Sequence, residues 1–457
     1  MAEPRLVVVS NRIPTDAQPA GGLVVALHEA LESRGGVWIG SSGNMVDTPG
    51  PLREISPEGS VYTRLAYDLT HDEHKGFYLG HANSVIWPLF HHRADLIDVS
   101  EESRRQYMGV NARVAEMIAE VLEPTDILWI HDYHFLPLAN ELRKRGVGNR
   151  IGYFLHIPFP NPSDIAALPD RKQLGAWISA YDLIGLQTQR DVSACLEWLR
   201  SDTDAEFTLR GRMKLDGRFF EVRSFPIGID VDAFQKAADE ADIRITDLPP
   251  DQKLVLGVDR LDYSKGLPNR FEAFGKYLGL RDRDGPRATM LQIAPPSRED
   301  VEAYRDIRAE LESMAGSVNG EHAEIDWTPI RYLRKPLPRE TLAGLYRRAD
   351  LCLVTPLADG MNLVAKEYVA AQDGADPGVL ILSHFAGAAE QLDGALMVNP
   401  YDTADMARVI DQALTMSLHE RHARWLSMMQ VIRETDIAWW TDSYLRALRS
   451  QPQMQVA

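Results

Sequence analysis

Arg260 and Lys265 stand just beyond an apolar run at 254–258, in the stretch Val258-Asp259-Arg260-Leu261-Asp262-Tyr263-Ser264-Lys265-Gly266. If that run is a buried strand, both cations sit at its mouth. Arginine can grip a diphosphate bidentately, and lysine supplies a compact point charge. A second stretch, Ala358-Asp359-Gly360-Met361-Asn362-Leu363-Val364-Ala365-Lys366-Glu367, follows another apolar run, 351–356, and opens into helical periodicity. A strand, a tight Asp-Gly turn and a helix start leave backbone N–H groups unpaired and pointing outward. Such a terminus attracts anions and can donate to sugar hydroxyls. Glu367, about one turn into that helix, is placed to hold a ribose through its hydroxyls. Each stretch alone has a plain alternative, a solvated Arg-Lys pair or a common turn. Together they describe a sugar-nucleotide site, because ligands of parallel α/β sheets bind at the carboxyl ends of strands.

The elements that would carry these residues alternate β and α twice. Apolar runs at 6–10, 127–131, 151–157 and 183–187 read as strands in the first half, with helical spacing at 105–122 and 136–145 and Gly146 as a C-terminal cap. The second half repeats the scheme, with strands expected near 254–258, 289–294, 351–355, 379–383 and 396–398. This order predicts an α/β protein with parallel sheets covered by helices on both faces. A charged stretch, 230–251, reads as the linker region, and 451–457 as a loose tail.

At this point the residues resemble a known family. Arg260-Leu261-Asp262-Tyr263-Ser264-Lys265-Gly266 and 359–367 are similar to the trehalose-6-phosphate synthases, the retaining glycosyltransferases of family 20. Val9-Ser10-Asn11-Arg12, Ala20-Gly21-Gly22, Trp87-Pro88, His131-Asp132-Tyr133-His134 and Phe154-Leu155-His156-Ile157-Pro158-Phe159-Pro160 match in the same order, from about residue 5 to about residue 448. The resemblance implies the GT-B arrangement, two Rossmann-like doubly wound domains facing across a cleft. Residues 1–235 would bind the acceptor, joined by a final helix within 435–457 that crosses back. Residues 236–434 would bind the nucleotide sugar.

The resemblance also implies roles. On the donor side, Arg260 and Lys265 would contact the phosphates, with Gly21 and Gly22 as a phosphate-facing loop, and Glu367 would take the ribose. Leu363 and Val364 would add backbone groups. Asp359 and the amides of Gly360, Met361 and Asn362 would hold the glucose and position its C1, and Leu337 would lie beside the base. On the acceptor side, Arg12 and Arg298 would clamp the phosphate of glucose 6-phosphate, Tyr78 and Trp87 would form an aromatic wall, Asp132 would hold the acceptor hydroxyl, and His156 would stabilise the sugar near the reacting centre. Trp87 read alone is a core residue, and His156 read alone a structural one. Asp132, His156, Arg260, Lys265 and Asp359 are the expected catalytic set. Three positions depart from the common family pattern: Ala358, Ser41 (where relatives commonly carry a second tryptophan) and Leu337.

Composition sets bounds on this reading. The 457 residues are 45% hydrophobic and 25% charged, as in ordinary globular proteins, and no apolar run reaches membrane-spanning length. A net charge of −17 argues against nucleic acid as a partner. Cys195 and Cys352 read as reduced core residues of a cytoplasmic protein. The absence of G-x-G-x-x-G after the first strand of either half disfavours nicotinamide chemistry. Asp230-Val231-Asp232 and Asp282-Arg283-Asp284 have the spacing of metal-holding pairs, but lie in charged stretches away from the strand ends. His71-Asp72-Glu73-His74 reads as a solvated loop. No metal or cofactor is therefore expected. A homo-oligomer is expected, as is a separate phosphatase acting on the product, and trehalose synthesis would suggest stress protection. The alternatives are a relative using glycerol 3-phosphate or an aminocyclitol acceptor, or a catalytically silent sugar-phosphate sensor. Retention of Arg12, Tyr78, Trp87 and Arg298 favours glucose 6-phosphate.

Overall fold

The structure, a computed structural model, describes residues 4–14, 22–208, 211–241, 248–249, 252–280, 287–298 and 302–451. Gly21, the Asp-Arg-Asp stretch at 282–284 and the tail from 452 lie outside them. The chain divides into two compact units, residues 1–226 with 440–457, and residues 227–439.

In the first unit the strands are β1 (Leu6–Arg12), β2 (Val37–Met45), β3 (Arg53–Glu54), β4 (Thr63–Leu69), β5 (Ile127–His131), β6 (Arg150–Phe154), β7 (Leu183–Leu186), β8 (Glu206–Phe207), β9 (Met213–Leu215) and β10 (Arg218–Ser224). They form one sheet in the order β3-β4-β2-β1-β5-β6-β7-β10-β9-β8. From β4 to β10 every pairing is parallel. Strands buried on both faces need continuous apolar sequence, and Ile127 to His131 of β5 is buried at every position. The order reverses between β1 and β5, so chain ends diverge there and leave a crevice for side chains at the carboxyl ends.

The second unit repeats the plan without edge hairpins. Strands β11 (Lys253–Val258), β12 (Ala288–Ile293), β13 (Ile330–Leu333), β14 (Leu351–Val354), β15 (Val379–Ser383) and β16 (Leu396–Val398) are arranged β13-β12-β11-β14-β15-β16. All of these pairings are parallel. The reversal here lies between β11 and β14. The α/β class expected from the alternation, and the Rossmann-like winding implied by the resemblance, are what the two sheets show. Cys195 and Cys352 are both fully buried and unbonded to each other.

Three local expectations are corrected. The run 151–157 does not stay in the sheet: β6 ends at Phe154, and Pro158 and Pro160, which lack N–H groups, turn the chain away. The supposed linker begins with a helix, Val231–Glu240. Asp230 caps it by accepting the Ala233 N–H at 2.9 Å, and Val231, Phe234 and Ala238 are its buried face. The charges that suggested a linker occupy its outer side. His71-Asp72-Glu73-His74 is no loop but a helix start. Thr70 and Glu73 form a capping box, and Glu73 pairs with Arg113 at 2.8 Å. It runs into a π-helix, His74–Ile86, which no sequence pattern announced.

The last helix, Ile437–Arg449, is amphipathic and supports the first sheet from Trp440 onward. Tyr444 stacks on Trp129 with ring centres 4.7 Å apart and donates its hydroxyl to Tyr153 O at 3.0 Å. Trp440 packs edge-on to Phe154 at 5.0 Å.

Candidate active site

At the first unit's reversal, β1 delivers Arg12 and β5 delivers Asp132. A shift of register between Val9 and Arg12 breaks regular pairing at the strand end and leaves Arg12 exposed. The buried Ser10 hydroxyl fixes that end, donating to Arg12 O at 2.7 Å and accepting Trp38 Nε1 at 2.8 Å. Arg12 lines a small pocket of about 100 Å³ with Asn11, Ser41, Gly43, His74 and Tyr78. Ser41 takes the Gly43 N–H on its hydroxyl at 3.1 Å. Gly43 lies at φ +85°, and a Cβ there would come within 2.9 Å of the Arg12 guanidinium. The serine that departs from the family pattern thus shapes the turn beneath Arg12. Tyr78, carried by the π-helix, stacks nearly parallel to His134 with centroids 5.8 Å apart. Such helices concentrate at functional sites. Trp87 does not line this pocket: it is buried between His91 and Tyr133, at 4.1 and 5.5 Å between ring centres.

Asp132 and His156 meet at adjacent strand ends. The Asp132 N–H donates to Phe154 O at 2.8 Å, and its carboxylate accepts the His156 N–H at 3.3 Å. Asp132 has φ +75°, a strained backbone conformation for a residue other than glycine. His156 shares a hydrogen bond with His131, Nε2 to Nδ1 at 3.1 Å, and its Nδ1 lies 3.4 Å from the Gln187 amide. Burial pushes the His156 imidazole down to about 3, and burial, with His156 alongside, drives His131 well below its usual range. Both rings are therefore neutral at pH 7. Two neutral imidazoles can share a hydrogen bond only as donor to acceptor, so their tautomers are linked.

At the second unit's reversal, β11 and β14 bring the two opening motifs together. Ser264 O accepts the Leu357 N–H at 2.7 Å and the Ala358 N–H at 3.4 Å, stitching one motif to the other. Gly266 is essential to this closeness: it has φ +63°, and a Cβ there would stand 2.3 Å from Thr355 O. Lys265, only 9% exposed, reaches Asp359 Oδ2 at 2.5 Å, and the Asn362 amide donates to the same oxygen at 3.0 Å. Asn362 (φ +72°) begins the helix Leu363–Ala371, and its side chain does not cap it. Ser100, Thr188, Asp230 and Ser417 do cap their helices. The amides at Leu363 and Val364 thus open a helix start that its own N-cap side chain leaves uncovered. Asp359 O accepts the Gly387 N–H at 3.1 Å, and Met361 O the Ala388 N–H at 2.8 Å, so a loop after β15 holds Gly360 from behind. Arg260 is exposed at the rim.

Glu367 is half-buried on the same helix, its carboxylate accepting the Tyr346 hydroxyl at 3.2 Å. Burial raises its carboxyl to about 6, against the pull of Tyr346 and Arg339. Leu337 borders a larger apolar cavity of about 560 Å³ with Leu291, Ile330, Tyr332 and Leu345. Arg298 belongs to this second unit and is turned inward, bonded to the Tyr304 hydroxyl at 2.6 Å and to Asp262 at 3.4 Å. Gly22 begins the helix Gly22–Arg34, and its neighbour Gly21 lies outside the described residues.

Residues without a local signal complete the second site. Arg270, fully buried, donates to Asp259 at 2.6 Å, Gln292 at 2.9 Å and Thr355 at 3.0 Å. It therefore ties together the ends of β11, β12 and β14. Of the two Asp-x-Asp pairs set aside as metal sites, Asp230 is a helix cap and Asp232 reaches Arg433 at 3.4 Å.

Comparison with known proteins fits this geometry. The profile of glycosyltransferase family 20 matches residues 5–450. A trehalose-6-phosphate synthase of Enterobacter sp. (strain 638) is 45% identical over 97% of this chain and 95% of its own length. A solved structure from E. coli, bound with UDP-2-fluoro glucose, is 43% identical with TM-score 0.92, covering 98% of this chain and 100% of that one. An α,α-trehalose-phosphate synthase (UDP-forming) from Burkholderia xenovorans, solved in complex with glucose-6-phosphate, is 41% identical with TM-score 0.92 at the same coverage. With a family match across almost its whole length, and with the fold of its GT-B neighbours, the chain belongs to glycosyltransferase family 20.

Proposed function

We propose that the protein transfers glucose from UDP-glucose to glucose 6-phosphate, giving α,α-trehalose 6-phosphate with retention and without a metal. The observation that carries this reading is the knot of Lys265, Asp359 and Asn362 beside an N-terminus whose cap side chain is turned away. It sets a cation and open amides against a carboxylate able to take sugar hydroxyls, at a switch point where nucleotides bind. Relatives crystallised with UDP-2-fluoro glucose and with glucose-6-phosphate support the two substrates.

On this reading Arg260 and Lys265 stabilise the leaving diphosphate, the task a metal performs elsewhere. Asp359 orients the glucose. Asp132 holds the acceptor, and Arg12 and Tyr78 receive its phosphate and ring. The bond from C1 to the phosphate oxygen breaks as the acceptor oxygen bonds C1 on the same face. The acceptor's proton passes to the leaving phosphate oxygen. Retaining hydrolases use two close carboxylates, one of them a nucleophile. The proposed route needs no protein nucleophile and relies on orientation and fixed charge. Cytoplasmic placement and a separate phosphatase for the product belong to the same proposal.

The test is nucleotide release from UDP-, GDP- and ADP-glucose, each with and without glucose 6-phosphate and with a chelator, with the product identified. UDP release that requires glucose 6-phosphate, survives the chelator and yields trehalose 6-phosphate is expected. Release with glycerol 3-phosphate alone, or donor binding without turnover, would overturn the proposal.

A further inference from the structure

Tyr346 lies in the helix Arg339–Arg348 and is fully buried, with its ring edge-on to Tyr368. The helix end is pinned as well, since the Gln372 amide donates to Tyr346 O and accepts the Gly378 N–H at 2.6 Å. For packing alone, phenylalanine would fill this place equally well. A buried hydroxyl needs a partner, and Glu367 Oε2 at 3.2 Å is the one the described structure provides. Burial drives the phenol well above its usual range, so it stays protonated and offers the carboxylate a donor at every working pH.

We propose that Tyr346 is a positioning residue for the donor nucleotide: its hydroxyl holds one oxygen of Glu367, so that the ionised carboxylate presents its free lone pairs to both ribose hydroxyls. This rests on the reading that Glu367 takes the ribose. An ionised carboxylate offers about four acceptor positions. One is spent on Tyr346, and the rest can accept a diol. A protonated carboxyl would have to donate one of its bonds, and the match would be lost. Among the described residues, few groups face Glu367. Tyr346 and Arg339 approach from one helix, the Cys352 thiol from β14, and both Tyr346 and Arg339 favour the charged form. The neighbouring Lys366 points elsewhere, onto Ile227 O and Gln391, each at 2.7 Å.

Calorimetric binding of UDP and of 2′,3′-dideoxy-UDP to the wild type, Tyr346→Phe and Glu367→Gln tests the assignment. Tyr346→Phe should bind UDP about tenfold more weakly, the lower end of the scale for a lost hydrogen bond to a charged group, and bind the dideoxy nucleotide like the wild type. Its UDP affinity should also begin to fail at higher pH than in the wild type, where burial raises the carboxyl to about 6. Equal weakening for both nucleotides, with no shift in pH dependence, would reduce Tyr346 to a packing residue and overturn the proposal. Wild-type protein gives a reading that needs no variant. Its preference for UDP over the dideoxy form should fade as pH drops through about 6, and a constant preference would contradict an ionised Glu367. If Glu367→Gln kept the full preference, the ribose assignment of Glu367 would fail instead, which separates the two claims.

Discussion

Asp132, Arg298 and Asn362 have positive φ, and among the described residues only His92 and Asp216 share that property outside glycine. Strain concentrated on residues expected to meet substrate is what a pre-organised site requires. The His131–His156 pair carries a cost of another kind, since neither ring accepts a proton easily. The sign of its effect on stability follows from linkage. The folded His156 binds fewer protons than the unfolded one between about 3 and the ordinary histidine value of 6.5. Its contribution is fully present above 6.5 and is lost as pH falls toward about 3. Chemical denaturation of the wild type should therefore lose about 2 kcal/mol from this group between pH 7.5 and pH 5. His156→Gln should lose correspondingly less over the same interval. Parallel pH profiles for the two proteins would show that the imidazole is not buried neutral.

At the scale of elements, the decisive positions are strand ends and the turns after them. Gly266 is the clearest, because both its left-handed backbone and the 2.3 Å approach to Thr355 O exclude a side chain. Gly266→Ala should destabilise the protein by more than about 1 kcal/mol. It should also weaken UDP binding while glucose 6-phosphate binding persists, as checked by calorimetry with each ligand. Equal loss of both ligands would place the effect outside the donor turn. These turns were legible in the sequence because doubly buried parallel strands are continuous apolar runs, and chemistry-bearing residues followed them directly. Val258-Asp259-Arg260 and Val354-Thr355-Pro356 announced their own ends. The helix Val231–Glu240 was illegible as a helix because its few apolar positions lie among charges. Arg270, Gln187 and Tyr346 were also hidden. Each acts on a residue distant in sequence, and no local spacing distinguishes a buried arginine on a helix from a solvated one.

At the scale of the molecule, a net charge of −17 coexists with sites meant for anions. Part of the answer is that cations are spent inside. Arg270, Arg64, Arg143, Lys366 and Lys265 are all buried. Charges on the exposed surface are screened beyond roughly 8 Å at physiological salt, whereas a buried lysine beside open amides is not. On the proposed function, substrate binding should follow the local field at each switch point and not the global charge. The same topological device appears in each unit, an order reversal with its chemistry on the first strands to either side. On the proposed function, these residues move glucose between a nucleotide and a sugar phosphate without inverting it. Proton NMR of UDP-glucose and glucose 6-phosphate incubated with the protein tests this most directly. α-Anomeric signals of an α,α-linked disaccharide phosphate should grow in step with UDP. A β-linked product, or a donor left intact in the presence of the acceptor, would contradict it.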